Sequence, residues 1–178
     1  MTSGEIKARF ERHAHALARR PELARESGHS RVSMGRGFRC EVEHEDRRGV
    51  VDQPAALGGG AGPDPEQLMR ASLAASLAMG YRIWGARLGV PIDAVTVELT
   101  CAYDARGQLG VSDAVAVGWS HARFDVTVTS AAPEEDVRRV VAIADARSPM
   151  LANLSPIILR THGLCVVRPD GRAETPHR

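Results

Sequence analysis

The sequence predicts an α+β protein, and three observations carry that prediction. Alternating apolar and polar residues occur in two groups, residues 31 to 52 and 95 to 128, as half-buried strands require. A long, nearly uninterrupted apolar helix separates the groups, and further helical spacing precedes one last strand. Strands thus come in runs rather than in strict alternation with helices, which favours α+β over α/β.

Each element has its own signal. Residues 4 to 20 place Ile6, Phe10, Ala14 and Leu17 at helical spacing, with Ser3 as N-cap and Pro21 as stop. Residues 21 to 30 read as a polar linker. From Arg31 to Asp52, Phe38, Cys40 and Val42 share one parity, and Val50 and Val51 follow the charged turn EHEDRRG, giving two or three antiparallel strands. Asp64 as N-cap and Pro65 at the first helical position start the long helix, and Gly89 and Pro91 end it. Between Ala71 and Tyr81 the only polar groups are Ser72, Ser76 and the tyrosine hydroxyl, so this helix is expected to be buried all round. A chain with one such helix and short strands encloses it poorly, which predicts a partner subunit.

Val95, Val97, Leu99 and Cys101 form the next alternating strand. The turn Asp104 to Gly107 is expected to lead to a weaker strand at Val115 and Val117, followed by another at Phe124, Val126 and Val128. Pro133, Glu134 and Glu135 open a helix with Val137, Val140, Val141 and Ile143 inward, ending near Ser148. A short helix from Pro149 and a strand from Ile157 to Val167 give the order β-β-β-α-β-β-β-α-α-β. The expected organisation is an N-terminal helical extension over 1–28, a single domain over 29–168, and a polar tail over 169–178.

Composition excludes several function classes. The chain has 178 residues and 23 basic side chains, of which only Lys7 is lysine, but 22 acidic residues are interspersed and the net charge is +1. No electrostatic footprint for nucleic acid follows. The apolar run from Ala71 to Tyr81 is far short of the roughly 20 residues that cross a bilayer, and no basic-then-apolar leader opens the sequence, so a cytoplasmic location is expected. Cys40, Cys101 and Cys165 have no C-x-x-C spacing and no nearby histidine cluster, so no metal or cofactor is expected. Strand parity makes Cys40 and Cys101 small buried hydrophobes. The glycines at 58, 59, 60 and 62 lack the lysine of a phosphate loop and read as a tight chain path.

The segment LGGGAGPDPEQLMRASLAASLAMGYRIWGARLG, together with the later D-A-R-S-P, resembles the OsmC/Ohr family of thiol-dependent hydroperoxide reductases over about residues 35 to 168. The family pattern is GG, then G-x-x-P-E-x-L, then A-A-C ten residues after the glutamate, with a second cysteine in a later C-P step. Here Ser76 follows Glu66 by ten residues, and the C-P step is Ser148-Pro149. The resemblance implies an intertwined homodimer in which antiparallel sheets wrap long central helices. It also implies that Glu66 matches the family glutamate, Ser76 the peroxidatic cysteine and Ser148 the resolving cysteine. For the orienting arginine the best candidate is Arg36, in G-R-G, and Arg31 and Arg39 stand as alternatives. Peroxide turnover needs a thiolate that accepts oxygen and is then reduced, and a serine hydroxyl offers neither step.

The resulting expectation is a non-peroxidatic member that binds a small apolar ligand in an interface pocket lined by Leu73, Leu77, Met79 and Met150. Three alternatives stand beside it. Reductase activity would survive through Cys40, Cys101 or Cys165; a serine hydrolase would use Ser76 with His121 or His162; or the chain would be a dimeric interaction protein whose stripe Ile6, Phe10, Ala14 and Leu17 docks a partner.

Overall fold

Thr2, one residue ahead of the expected Ser3, caps the first helix, α1 (Ser3–Arg19). The Glu5 amide donates to the Thr2 hydroxyl at 3.2 Å, and the Thr2 amide donates to the Glu5 carboxylate at 2.7 Å. This reciprocal capping box satisfies two donors that the helix leaves unpaired. On the predicted stripe Ile6 is buried, Leu17 is half-buried, and Phe10 and Ala14 are exposed. In the computed structural model residues 1–154 and 158–172 are described. The chain divides into two units, His13–Ser72 and Met1–Arg12 with Leu73 onward. The sequence alone suggested a division at 28 and at 168.

The unit His13–Ser72 is a meander. A 3₁₀ turn (Pro21–Ala24) lies within the predicted linker. It is followed by β1 (Arg31–Met34), β2 (Cys40–His44) and β3 (Arg47–Val51), antiparallel in the order β1-β2-β3. Val32 opposes Val42, Met34 opposes Cys40, and Cys40 opposes Val51, so one face carries the apolar parity. Val32 and Met34 on that face remain 59% and 61% exposed in the single chain.

The long helix α2 (Pro65–Leu88) starts as its sequence dictates. The Gln67 amide donates to Asp64 Oδ1 at 2.7 Å and the Asp64 amide to Gln67 Oε1 at 3.0 Å, with Pro65 at the first helical position. Gly89, at φ +74°, ends it in the left-handed conformation that glycine adopts without strain. Leu73, Leu77 and Tyr81, four residues apart, are buried to 1% exposure or less, while Met79 is 63% exposed. Burial of α2 within one chain is therefore confined to a stripe, where the sequence led us to expect it on every face.

The second unit is a three-stranded sheet with helices on one face. Its strands are β4 (Ala94–Ala102), β5 (His121–Thr129) and β6 (Leu159–Val167), in the order β4-β5-β6. Between β4 and β5 lies a short helix, α3 (Ala105–Gln108), and between β5 and β6 lie α4 (Glu134–Asp145) and α5 (Pro149–Ala152). Ala122, Phe124, Val126 and Val128 of β5 join Leu73, Leu77 and Tyr81 of α2 and Val137, Val140 and Ala144 of α4 in one buried cluster. Val95, Val97, Leu99 and Cys101 of β4 pack against that cluster, on the parity the sequence assigned.

Two expectations are corrected. No strand forms at Val115 and Val117: Asp104 accepts from the Arg106 amide and caps α3 instead, and the segment after it is irregular. Val117 is 69% exposed and Val115 is only half-buried, so the apolar pair has no common buried face to hold a strand. Second, β6 runs parallel to β5, so this sheet is mixed where antiparallel strands were expected. The helical connection through α4 and α5 supplies the crossover that a parallel pair needs. The expected strand start at Ile157 and the tail from 173 lie outside the described residues.

α2 meets the start of β4 closely. Arg82 donates to the carbonyls of Ile92 and Asp93 at 2.8 and 2.9 Å. A Cβ on Gly85 would lie 2.4 Å from Ile92 Cγ1 and 3.0 Å from the Val90 carbonyl oxygen. Gly85→Ala should therefore lose stability: overpacking against buried neighbours costs about 1–3 kcal/mol, more than the ~1 kcal/mol that alanine gains in helix propensity. Urea unfolding checks this, and an unchanged or raised midpoint would show that the 90–92 turn yields.

Candidate functional site

Helical spacing on α4 produces two faces. Val137, Val140 and Ala144 enter the core, and Arg138, Val141, Ala142 and Asp145, at i, i+3, i+4 and i+7, line a cavity of about 780 Å³. The facing wall comes from β6, whose alternation places Arg160, His162 and Leu164 on the helix-covered side of the sheet, opposite Ala122, Phe124 and Val126 of β5. Ser148, Leu151 and Leu154 close one end.

Ser148 is 9% exposed and is the N-cap of α5: its hydroxyl accepts from the Leu151 amide at 3.2 Å, and Pro149 takes the first helical position. The neighbouring Arg147 lies over Trp84 of α2, 5.0 Å from the ring centroid, and Arg87 lies over the same ring at 4.4 Å. The segment that carries Ser148 is thus tied to the long helix.

A polar cluster crosses the cavity's inner edge. Tyr81, fully buried on α2, donates to Asp145 Oδ1 at 2.8 Å, and His162 Nδ1 stands 3.8 Å from Asp145 Oδ2. The His162 ring stacks on Phe124 with centroids 4.9 Å apart. Burial raises the carboxyl pKa of Asp145 above the ordinary carboxylate range, against the lowering effects of the Tyr81 bond and of His162. Burial, with the Asp145 charge and hydrogen bond, also raises the Tyr81 phenol, which stays protonated and remains a donor.

The residues singled out from sequence are spread over the fold. Ser148 lines the cavity, whereas Ser76, half-buried on α2, and Leu73, Leu77, Met79 and Met150 do not. Leu73 and Leu77 are core, Met79 is exposed, and Met150 packs half-buried against the core. Glu66, in the first turn of α2, pairs with Arg70 at 3.4 Å. Arg36 is exposed in the loop between β1 and β2, beside a smaller concavity that it shares with Ser33, Met34, Gly35, Arg39 and Glu41, and Arg39 is engaged by Glu41 at 2.7 Å. Arg31 is exposed on β1. His121, on the other side of β5, has Nε2 2.9 Å from the Thr161 hydroxyl. The three cysteines are half-buried and form no disulfide, and none lines the 780 Å³ cavity.

Asp145 and Tyr81 carry no sequence signal as site residues, and the sequence offers His162 only as a base for Ser76. A usable signal was present in β6, where histidine occupies the parity of Leu164 and Val166. The glycine loop is explained by a buried acidic side chain. Asp52 is 2% exposed, and its carboxylate accepts from the Gln53 and Ala61 amides at 2.8 and 3.1 Å. A Cβ on Gly59 would come 2.8 Å from the same carboxylate, so the loop wraps Asp52 closely. Among the described residues no group of three or more His, Cys, Asp or Glu is arranged to hold a metal, and no helix is long and apolar enough to cross a membrane.

An α+β chain with a three-stranded meander, a long helix and a mixed sheet capped by two helices is the architecture of a known fold class, and the comparisons identify it. The profile of the OsmC-like protein family matches residues 58–161, and the chain belongs to that family. Similar solved structures include an OsmC-like protein from Mycoplasma pneumoniae, at 12% identity and a TM-score of 0.67, covering 78% of this chain and 97% of that one. An organic hydroperoxide resistance protein from Legionella pneumophila matches at 17% identity and a TM-score of 0.59, over 78% and 96% of the two chains. The organic hydroperoxide resistance protein OhrB of Bacillus subtilis matches at 16% identity and a TM-score of 0.54, over 78% and 98%. At these identities the likeness is one of fold. Comparison with curated proteins gives no match.

The raised Asp145 carboxyl gives a signed prediction. Its folded-state pKa lies above its unfolded value, so the stability it contributes is present below the unfolded value and lost as pH rises through the folded one. Asp145→Asn should therefore flatten the fall in thermal stability as pH rises above the ordinary carboxylate range of about 4. Parallel melting curves for variant and parent would refute this.

Proposed function

We propose that this OsmC-like protein has left thiol peroxidase chemistry and binds a small, largely apolar molecule as a homodimer. What supports the loss of chemistry is the oxygen chemistry at the two positions that the family resemblance assigns to the reacting thiols. Ser76 and Ser148 stand there, and Ser148 already uses its hydroxyl as a helix cap. A serine is neither acidic enough to attack a peroxide as its anion nor able to accept oxygen and be reduced again. What supports ligand binding is the cavity walled by α4, α5 and β6. Its volume of about 780 Å³ lies within the range of small-molecule sites, and apolar side chains surround a few polar ones. The sequence-derived pocket of Leu73, Leu77, Met79 and Met150 gives way in this reading to one lined by Val126, Val141, Leu151 and Leu164 with Ser148 at its end.

Exposed apolar residues support the dimer. Met34, Phe38, Leu57 and Met79 are between 55% and 70% exposed in the single chain, more large apolar side chain than a monomer leaves in water without use. Sedimentation should give the mass of two 19.1 kDa chains, and a monomer at micromolar concentration would remove this part of the reading.

The decisive assay supplies cumene hydroperoxide and a dithiol. The native protein should consume peroxide no faster than buffer, and a Ser76→Cys, Ser148→Cys double variant should gain turnover. Steady consumption by the native protein would overturn the reading and direct attention to Cys40, Cys101 and Cys165.

A further inference from the structure

The cavity beside β6 is graded along its length. Arg160, His162 and Leu164 occupy successive cavity-lining positions on one face of one strand, Arg160 and His162 exposed and Leu164 half-buried, about 6.6 Å apart at each step by strand geometry. The wall therefore passes over about 13 Å from a guanidinium, through an imidazole, to an aliphatic side chain. The apolar end is completed by Val126, which is 3% exposed, and by Val141 across the gap.

The cations in this wall are not equivalent. Arg138 is bound to Glu134 one helical turn away, so its charge is spoken for. Arg160 makes one hydrogen bond, to the Leu151 carbonyl at 3.3 Å, and no carboxylate pairs with it among the described residues. Ser148 lines the same end. Among the described residues the one carboxyl in the wall, Asp145, is held by the Tyr81 hydroxyl on one oxygen and faced by His162 on the other. That arrangement leaves Arg160 as the group that selects the charge of a guest.

Resting on the ligand-binding reading above, we propose that the guest is a medium-chain monocarboxylate, its carboxylate on Arg160 and its hydrocarbon body along Leu164, Val126 and Val141. A planar guanidinium matches a carboxylate with two parallel N–H···O bonds, and an aliphatic tail gains by leaving water for the apolar end. Neutral or cationic molecules of the same length lack the first contribution.

Isothermal titration of the full chain with octanoate, 1-octanol and octylamine tests the assignment. Octanoate should bind about tenfold or more tighter than 1-octanol, and Arg160→Gln should bring it down to the level of the alcohol while leaving the alcohol unchanged. Ala142→Trp, which fills the cavity from α4, should abolish binding of both. Equal affinities for octanoate and octanol would overturn the carboxylate assignment and leave the cavity reading standing. Tightest binding of octylamine would overturn it in favour of Asp145. Octanoate binding that survives Ala142→Trp would place the guest elsewhere and overturn it, and failure of all three probes would overturn both readings. Should Arg160→Gln not fold, the ranking of the three probes on the native chain still decides.

Discussion

The hydrogen bond from Tyr81 to Asp145 is the constraint on which the rest of the second unit depends. It joins the middle of α2 to the last residue of α4, two side chains 64 positions apart. A buried phenol without a partner would cost about 1–3 kcal/mol, so Tyr81 requires the half-buried Asp145 carboxyl where it stands. Asp145 is followed within three residues by Ser148, and the cap at Ser148 sets the direction of α5. The end of the cavity therefore follows from a single contact between two helices. The stacking of Arg147 on Trp84 holds the same junction from its other side.

Much of this fold was legible because it is punctuated locally. Asp64, Pro65 and Gly89 bound α2 through the chemistry of one turn each, and the inner parity of β4 and β5 follows from burial of one sheet face. What was not legible depends on partners distant in sequence. Alternation in β6 reports which side chains face the core but is silent on strand direction, so the parallel pairing with β5 was unreadable. The expected strand at Val115 and Val117 shows the opposite failure, a local apolar pattern with no surface to cover it. For the site, Ser148 was visible as a serine before proline. Asp145, Tyr81 and His162 become a group only when α2, α4 and β6 are packed together.

The glycine loop and the cavity make a useful contrast. Each contains a carboxyl, but Asp52 is buried and enclosed by backbone donors of its own loop, whereas Asp145 is half-buried and lines an open cavity. The first acid is structural, since its partners lie within nine residues of it and move with it. The second is joined to elements from three parts of the chain, so any change in what fills the space beside it is felt in α2, α4 and β6 alike.

Parallel pairing of β5 with β6 has a consequence for the order in which the molecule comes into being. The strand that carries Arg160, His162 and Leu164 is the last regular element among the described residues, and it docks beside β5 only after α4 and α5 have crossed over the sheet. During synthesis β5 waits as a bare edge, and an edge of that kind recruits stray strands. The cavity is thus completed only when β6 docks, and a nascent chain short of residue 159 displays its hydrophobic floor without that wall.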